Sequence, residues 1–251
     1  MESHEYPYIH LFEGDEHVTY EEVMKYLEEV GSEQTRNTFI KHGATREFYG
    51  VKVGDMKKIL KYVKKDQALA LKLYDSGNSD AMYLAGLAID PKLMTIEQLQ
   101  SWVKEAYWYM LSEYTVAWVA AESPYALELA REWMQSDEEM IACAGWSTYT
   151  NYFGYAGADE LDLQEVAQLL EQVRVGIHQA PNRVRYDMNA FVIGTGVHVP
   201  TLREDAQRVA QEIGKVHVDM GGTACKVPLA FDYIEKVLSR GEPKKKKNLR
   251  C

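Results

Sequence analysis

The chain has 251 residues, of which 46% are hydrophobic and 26% are charged, and its net charge is −10. This composition is typical of a globular protein rather than a disordered one. No apolar run approaches the roughly 20 residues that a bilayer crossing requires. The first residues, MESHEYPYIHLFEGDE, carry acids where a signal peptide has a basic segment and an apolar one, so we expect a cytoplasmic chain with no membrane contact.

Cysteine and histidine spacing gives no metal signature. The cysteines Cys143, Cys225 and Cys251 are odd in number and form no CxxC pair, which indicates free thiols rather than a disulfide framework or a zinc site. His42 and His198 have no partner at metal-ligand spacing. We therefore predict no metal and no cofactor.

The charge is divided unevenly along the chain. Residues 174–251 contain 14 Lys and Arg and 8 Asp and Glu, a net charge of +6, which leaves −16 for residues 1–173. The densest basic cluster is PKKKKNLRC at the C-terminus. Such asymmetry points to a polyanion bound along the C-terminal part. The alternative is a basic tail that is merely solvated.

Helical periodicity extends over almost the whole chain. Thr19, Ser79, Thr95 and Ser123 are predicted to begin helices, the third with a Thr-x-x-Gln capping pattern and the last with Pro124 at the first helical position. GKVHVDMG is the one candidate strand, and it is too isolated to form a sheet. In chain order, the predicted helices are TYEEVMKYLEEV, VGDMKKILKYVKKD, DQALALKLYDSG, SDAMYLAGLAID, TIEQLQSWVKEAY, SPYALELAREWMQS, DEEMIACAGWSTYTNYF, DLQEVAQLLEQVRVGI, RVRYDMNAFVIGTG, TLREDAQRVAQEIG and VPLAFDYIEKVLSR.

Short capped helices that repeat about every 40 residues favour an all-α protein built as a HEAT-like solenoid of helical hairpins, an α-α superhelix with a concave groove. We predict one domain over residues 1–240 and a basic tail over residues 241–251. The repeats are not similar to one another in sequence, so a compact irregular helical bundle is the structural alternative.

Three segments, FIKHGATREFYGVKVGDMKKILK, LALKLYDSGNSDAMYLAGLAI and VDMGGTACKVPLAFDYIEKV, resemble the AlkD-like DNA alkylation repair proteins, a HEAT-like-repeat family of bacterial DNA glycosylases and their relatives. The resemblance covers nearly the whole chain. It implies excision of alkylated purines by hydrolysis of the N-glycosidic bond. Alkylation at N3 or N7 already makes the base a cation, so such an enzyme needs mainly a carboxylate that stabilises positive charge on the sugar and orients water.

The resemblance also implies positions for the site. It places Glu113 where the family has its catalytic aspartate and Tyr109 where the family has a tryptophan, on one helix face at i and i+4. The family's arginine is replaced by Ala142 or Cys143, and its second site tryptophan falls at Phe191 or Val192. The plainer reading of Glu113 is a solvated surface acid.

The segment YWYMLSEYTVAW presents two predicted surfaces. Tyr107, Tyr114 and Trp118 form a stripe expected to pack in the core, whereas Tyr109 lies with Glu113. The helical pattern from residue 95 to residue 122 is long for one helix and is expected to break near Tyr107.

Candidate DNA contacts are Trp146, as an aromatic surface, and a set of cations that would bind phosphate. Arg183 and Arg185 flank a helix start, where exposed backbone N–H groups would add to their charge. Trp146 packed inside the protein and a solvent-facing arginine pair are the alternatives. The remaining candidates are Lys226, Lys244, Lys245, Lys246, Lys247 and Arg250.

Three functions are compatible with these observations. The first is a family member that binds damaged or distorted double-stranded DNA and acts as an alkylpurine DNA glycosylase. The second is a catalytically inactive member that recognises damaged, bent or branched DNA, which the changed arginine and tryptophan positions favour. The third is a helical scaffold for protein partners.

Overall fold

Helices form the regular secondary structure of residues 17–156 and 160–250, the part of the chain that the computed structural model describes. No β-strand occurs within these ranges, so GKVHVDMG is a loop. The N-terminal segment MESHEYPYIHLFEGDE and Cys251 lie outside the described residues. None of the described helices combines the length and the apolar content that a bilayer crossing requires.

The chain divides into two compact units, Met1–Asp90 and Pro91–Cys251. The single domain over residues 1–240 stays a prediction. The α-helices of the first unit are α1 (Tyr20–Val30), α2 (Glu33–Lys41), α3 (Val53–Val63), α4 (Gln67–Asp75) and α5 (Ser79–Ala88). Those of the second unit are α6 (Ile96–Glu105), α7 (Ala117–Glu122), α8 (Ala126–Trp133), α9 (Glu139–Ala156), α10 (Leu163–Gly176), α11 (Asn182–His198), α12 (Arg203–Ile213) and α13 (Ala230–Leu238).

Several predicted helix starts are confirmed by their capping hydrogen bonds. Thr19 and Thr95 each form a capping box, in which the hydroxyl accepts from the third helical N–H and that residue's side chain accepts from the cap's own N–H. Helix α5 begins at Ser79, with Asn78 as its cap. The long helical pattern after Thr95 breaks as expected, since α6 ends at Glu105.

Two helix assignments require correction. Helix α2 was not predicted. It has no apolar stripe in the sequence, and none of its residues is buried, although Ser32 caps it. Helix α8 begins at Ala126, later than the predicted start at Ser123. The Ser123 hydroxyl donates to the Ala120 carbonyl at 2.7 Å and accepts from the Tyr125 N–H at 3.2 Å, so it stabilises the turn that precedes the helix.

In the first unit, Asp80 joins two of the segments that carried the family resemblance. Its buried carboxylate accepts the backbone N–H groups of Tyr49, Gly50 and Val51 at 2.7, 2.9 and 3.1 Å. Gly50 has a φ of +80°, and a Cβ there would lie 2.6 Å from the Arg36 nitrogen. The loop before α3 is thus held on the N-terminal end of α5, and glycine is required at its closest approach.

In the second unit, α9 and α11 pack along each other and form the centre of the core. Aromatic rings fill the space between them: Phe191 lies edge-on to Trp146 and Tyr149, with ring centroids 5.2 and 5.7 Å apart. Edge-to-face packing at these distances is favourable for aromatic pairs. This packing fixes the positions of the polar residues at the N-terminal ends of the two helices, among them Glu139 of α9 and Arg183 of α11.

Candidate functional site

The segment that contains Glu113 is a π-helix, Met110–Val116, which leads directly into α7. A π-helix has i→i+5 hydrogen bonds and is a less stable form that often marks functional sites. The Ser147 hydroxyl of α9 donates to the Glu113 carbonyl at 2.6 Å. This contact ties the π-helix to the central helix and helps to set the direction of the Glu113 side chain.

Glu113 is a buried acid, with 2% of its surface exposed, so the expectation of a solvated surface acid is wrong. Both of its carboxylate oxygens accept hydrogen bonds from Arg183: Nε donates to Oε1, and Nη2 donates to Oε2 at 2.6 Å. Arg183 is itself 8% exposed. This two-point geometry is the strongest arrangement that an arginine and a carboxylate form.

Two tyrosine rings lie against the Arg183 guanidinium. Its central carbon is 4.0 Å from the ring centroid of Tyr109 and 4.1 Å from that of Tyr186. Contacts of this kind stabilise a desolvated cation. Burial raises the pKa of Tyr109 to about 12, so its phenol stays neutral. Tyr109 and Glu113 thus contact the same guanidinium, that of Arg183, which lies between them.

Asp187 adds a second buried carboxyl group to the cluster. Asp187, Cys143 and Glu113 each offer an atom of a metal-binding type, and these atoms lie within 4.8 Å of one another. Burial raises the pKa of Asp187 well above its usual range, and the charge of Glu113 raises it further. With one guanidinium for two carboxyl groups, the cluster is electrically balanced when Asp187 keeps its proton.

Within the described parts of the chain, these three side chains form the group that could hold a metal ion. The oxygens of Glu113 are already engaged by Arg183, however, and burial keeps the Cys143 thiol protonated by raising its pKa. A cation would have to displace the guanidinium and remove the thiol proton. We therefore assign no metal to this cluster.

The helix start at α11 differs from the predicted phosphate site. The Arg183 N–H donates to Glu139 at 2.5 Å, so an acid of the chain itself occupies this end of the helix. Arg185 donates from Nε to the Ala180 carbonyl at 2.7 Å and from Nη1 to the His217 carbonyl at 3.2 Å. These contacts hold the surrounding loops.

Trp146 is 1% exposed and packs in the core, which is the alternative that its small neighbours allowed. No face of its ring is open to a base. The two stripes of the YWYMLSEYTVAW segment are also less distinct than predicted: Tyr107, Tyr114 and Trp118 are all half-buried, and the ring that is fully packed is Trp108, at 5% exposed. The irregular backbone between the end of α6 and the π-helix changes the phase of these rings.

The basic tail lies against the second unit. The Lys246 N–H donates to the Gly154 carbonyl at 2.8 Å, and the Leu249 N–H donates to Glu122 at 2.7 Å. Arg250 is buried, and its guanidinium lies 3.2 Å from the Glu122 carboxylate. The tail is therefore anchored within its lysine run, at Lys246, and after it, at Leu249 and Arg250, so that Arg250 serves as an anchor rather than as an exposed cation.

The side chains of the four tail lysines, residues 244–247, are exposed, as is that of Lys226. Lys245 lies 3.3 Å from Glu160, and no ion pair among residues 17–156 and 160–250 involves the other four. Their charges are therefore available to a ligand. These four are Lys226, Lys244, Lys246 and Lys247.

Sequence reasoning missed the partner of Glu113, because Arg183 is 70 positions away along the chain. It also missed Asp187. One signal was present: RVRYDMN places an acid four residues after Arg183 in a helix whose other positions are largely apolar. Residues at i and i+4 share one helix face, so Arg183 and Asp187 face the same way. Charged side chains that face the core require partners of opposite charge.

The fold and this cluster define an all-helical protein with a buried arginine–carboxylate centre on its two central helices. Residues 23–214 match the family model described as DNA alkylation repair enzyme. The chain belongs to this DNA alkylation repair family.

Relatives and a solved structure agree with this assignment. The uncharacterised proteins Lmo0209 of Listeria monocytogenes and Lin0241 of Listeria innocua are 35% and 34% identical, in each case over 89% of this chain and 99% of theirs. A solved structure is 36% identical, with a TM-score of 0.86 over 93% of this chain and 100% of that one. It is described as a new family of proteins related to the HEAT-like repeat DNA glycosylases with affinity for branched DNA structures. The HEAT-like helical fold predicted above is therefore confirmed.

Proposed function

We propose that this protein binds branched or otherwise distorted double-stranded DNA in the cytoplasm, through phosphate contacts, and that Glu113 does not cleave the glycosidic bond. The observation that carries the second part of the proposal is that the Glu113 carboxylate is buried and hydrogen-bonded to Arg183. The family's excision chemistry requires a carboxylate that faces the sugar, whereas both oxygens of Glu113 are engaged by Arg183 in a buried site. The affinity of the structural relative for branched DNA supports the choice of ligand.

The proposed phosphate contacts are the exposed lysines that form no ion pair in the described ranges, namely Lys226, Lys244, Lys246 and Lys247, together with Lys245. Because the tail that carries four of them is anchored through Leu249 and Arg250 to Glu122, the lysines are presented from a fixed backbone. A preorganised cation loses less conformational freedom when it binds phosphate. Trp146 and Arg183 are left out of the proposed interface because both are buried.

Binding is tested with a fluorescent four-way DNA junction and a linear duplex of the same sequence and length. We expect tighter binding of the junction and an affinity for both that falls steeply with salt, as counterion release requires. Equal affinity for the two DNAs would contradict recognition of branching. Affinity that is weak and does not depend on salt would instead favour the scaffold hypothesis.

The contribution of the tail is tested by replacing Lys244, Lys245, Lys246 and Lys247 with alanine. We expect weaker binding to every DNA and a smaller salt slope, by up to about 0.9 per lost contact. The matched control replaces the exposed lysines Lys57, Lys61, Lys64 and Lys65 of the first unit, which changes the net charge equally. An equal loss in both variants would show that net charge alone, and not the tail, determines affinity.

The second candidate, an alkylpurine DNA glycosylase, is favoured by the family match. Release of 7-methylguanine and 3-methyladenine from alkylated DNA tests it. We expect no release from the wild-type protein under conditions where an active member of the family works. Release that is lost in Glu113→Gln but kept in Glu165→Gln, the same change in an exposed arginine pair, would overturn the proposal.

A further inference from the structure

The loop between α12 and α13, residues 214–229, has no regular secondary structure. Loops longer than about 12–15 residues without secondary structure are uncommon in compact domains and are often functional. Among the described residues, no backbone–backbone hydrogen bond involves residues 215–228. None of residues 217–226 is buried, whereas Val216 just before them is 3% exposed. Residues 217–226 are thus a loop tip with little packing of their own.

Side chains of one helix hold this tip. Every hydrogen bond between residues 217–226 and the rest of the described chain involves a side chain of α11. Asn182 Nδ2 donates to the Asp219 carbonyl at 3.0 Å, and Asn182 Oδ1 accepts the Asp219 N–H at 2.7 Å. Arg185 Nη1 donates to the His217 carbonyl at 3.2 Å. These contacts are exposed to water, so their exchange for hydrogen bonds to solvent has a small net cost.

The remaining contact of the tip is with Arg183, whose Nη1 donates to the Met220 sulfur at 3.6 Å. This sulfur is the one hydrogen-bond acceptor of Nη1 among the described residues, since Glu113 engages Nε and Nη2. A thioether is a weak acceptor, whereas buried N–H groups normally have strong ones. A guanidinium that is only 8% exposed therefore has one edge capped by a poor partner.

The loop also encloses open space. A cavity of about 350 Å³ lies between its two limbs, and all the lining residues belong to the loop itself, at positions 215–218, 220 and 225–227. Because the limbs are separated, movement of the tip breaks few van der Waals contacts. Segments with few buried contacts and few internal hydrogen bonds open locally at low free energy, and lids are drawn from such segments.

We propose that residues 217–226 form a lid over the Nη1 edge of Arg183, and that an oxyanion of the phosphate type binds this edge when the lid is open. In the closed state, which the structure shows, Met220 caps Nη1. In the open state the hydrogen bonds from α11 to the tip are broken. The ends of the loop stay in place, because Val216 is buried and the Pro228 carbonyl accepts from a buried asparagine, Asn189, at 3.1 Å.

The surroundings of Arg183 suit an anion. The rings of Tyr109 and Tyr186 lie 4.0 and 4.1 Å from the central carbon of the guanidinium, one centroid each, and fix its plane. Glu113 holds the opposite edge through both of its oxygens. A guanidinium held in this way loses little conformational freedom when it binds, and hydrogen bonds from a cation to an anionic oxygen are stronger than those to a neutral acceptor.

The two hydrogen bonds of Asn182 have a matched control in the first unit. Gln67 Nε2 donates to the Asp90 carbonyl at 3.2 Å, and Gln67 Oε1 accepts the Asp90 N–H at 2.9 Å. Gln67 and Asn182 are each the first residue of a helix. Asn182→Ala and Gln67→Ala therefore remove the same pair of contacts from the same helix position, and only the first change affects the lid.

Opening is measured by fluorine NMR with a trifluoromethyl probe on Cys225. Cys225 is exposed on the tip and Cys143 is buried, so the probe reacts selectively once Cys251→Ser has removed the other thiol. We expect Asn182→Ala to raise the open fraction at least about fivefold, since two hydrogen bonds are lost. Gln67→Ala should leave the spectrum unchanged.

Anion binding is measured by titration with inorganic phosphate, with chloride at equal ionic strength as the control. The NMR signal of the Arg183 Nε–H should show a saturable shift with phosphate alone. The apparent Kd should fall in Asn182→Ala by the factor by which the open fraction rises, because the closed lid does not bind. Met220→Ala, which removes the sulfur, should also lower it. The Nε–H of Arg131, in the exposed pair with Glu165, is the reference signal.

The results test this inference separately from the proposed function, because the probe is inorganic phosphate and not DNA. A fluorine spectrum of Asn182→Ala identical to that of the wild type would overturn the lid. A larger open fraction without a saturable shift at Arg183, or with an equal shift at Arg131, would overturn the anion site. Either failure leaves DNA binding through the tail lysines standing, and a loss of DNA binding leaves the lid standing.

Discussion

Two arginine–glutamate pairs of the second unit have the same hydrogen-bond pattern in different surroundings. Arg183 donates to both oxygens of Glu113, and Arg131 donates to both oxygens of Glu165. The side chains of the first pair are 9% and 2% exposed, and those of the second are 48% and 22% exposed. The two pairs therefore share their hydrogen-bond geometry and differ in how far water reaches them.

The difference shows why a carboxylate at the family's catalytic position does not by itself indicate catalysis. Water competes for the exposed pair, which therefore contributes little to stability. The buried pair is strongly destabilising to break, because removing one partner leaves an uncompensated charge away from water. Through Arg183, the Glu113 carboxylate therefore holds α11 against the π-helix.

The largest effect is expected from Arg183→Met. It leaves Glu113 buried without its partner and should lower the free energy of unfolding of the second unit by about 3–5 kcal/mol. Tryptophan fluorescence during urea unfolding measures this unit alone, because all five tryptophans lie after Asp90. A loss of less than about 1 kcal/mol would mean that the pair behaves like an exposed one.

Replacing both partners tests whether charge is the cause. The double variant Arg183→Met, Glu113→Leu leaves no unpaired charge at this pair, and buried ion pairs can often be exchanged for apolar side chains at little cost. We expect it to be within about 1.5 kcal/mol of the wild type in the same measurement. A double variant as unstable as Arg183→Met would show that packing, and not the buried charge, accounts for the loss.

The buried carboxyl groups predict a pH dependence that the exposed pair lacks. Burial raises the pKa of Asp187, and it raises the pKa of Glu113 to about 7 against the opposing effect of Arg183. The folded second unit therefore holds more protons than the unfolded chain above about pH 4, and stability falls as pH rises through 7. The urea midpoint should drop between about pH 5 and 8.

Asp187→Asn should reduce this slope, since it removes one of the two titrating groups. Asp205→Asn, at an exposed pair with Arg208, serves as the control and should leave the slope unchanged. The fluorescence midpoint at each pH provides the measurement. A slope that Asp187→Asn does not change would contradict proton retention by the cluster.

A third pair, Arg250 with Glu122, is buried but lies in the tail. Arg250→Met should lower the free energy of unfolding by only about 1–2 kcal/mol, because the tail can lift away and expose Glu122 to water. Hydrogen exchange of the Leu249 N–H should increase more than that of the core helices. A loss as large as that of Arg183→Met would indicate that the tail does not separate from the unit.

The smallest effect is expected from Arg131→Met, at about 0–1 kcal/mol, because its partner Glu165 remains solvated and still accepts the Tyr149 hydroxyl at 2.7 Å. Added salt should reduce even this contribution. A loss of 3 kcal/mol or more at this exposed pair would remove the contrast between the two environments.

The amino-acid sequence by itself was sufficient for the helical class, the family and most helix starts. Capping residues such as Thr19 and Thr95 act on the N–H groups of the next turn, so their effect is local and can be recognised in the sequence. The helix that was not predicted and the changed helical period around Glu113 have local causes as well. Helix α2 has no apolar stripe, and the π-helix changes the periodicity around Glu113 that the i and i+4 argument assumed.

Only the tertiary structure decided what Glu113 contacts. The sequence placed Arg183 among the phosphate-binding candidates, yet the packing of α11 along α9 brings it to an acid 70 positions earlier. The same packing buries Trp146 and leaves the lysines of the tail exposed. Charge and helical period are properties of neighbouring residues, whereas burial and the choice of a distant partner depend on how the helices pack.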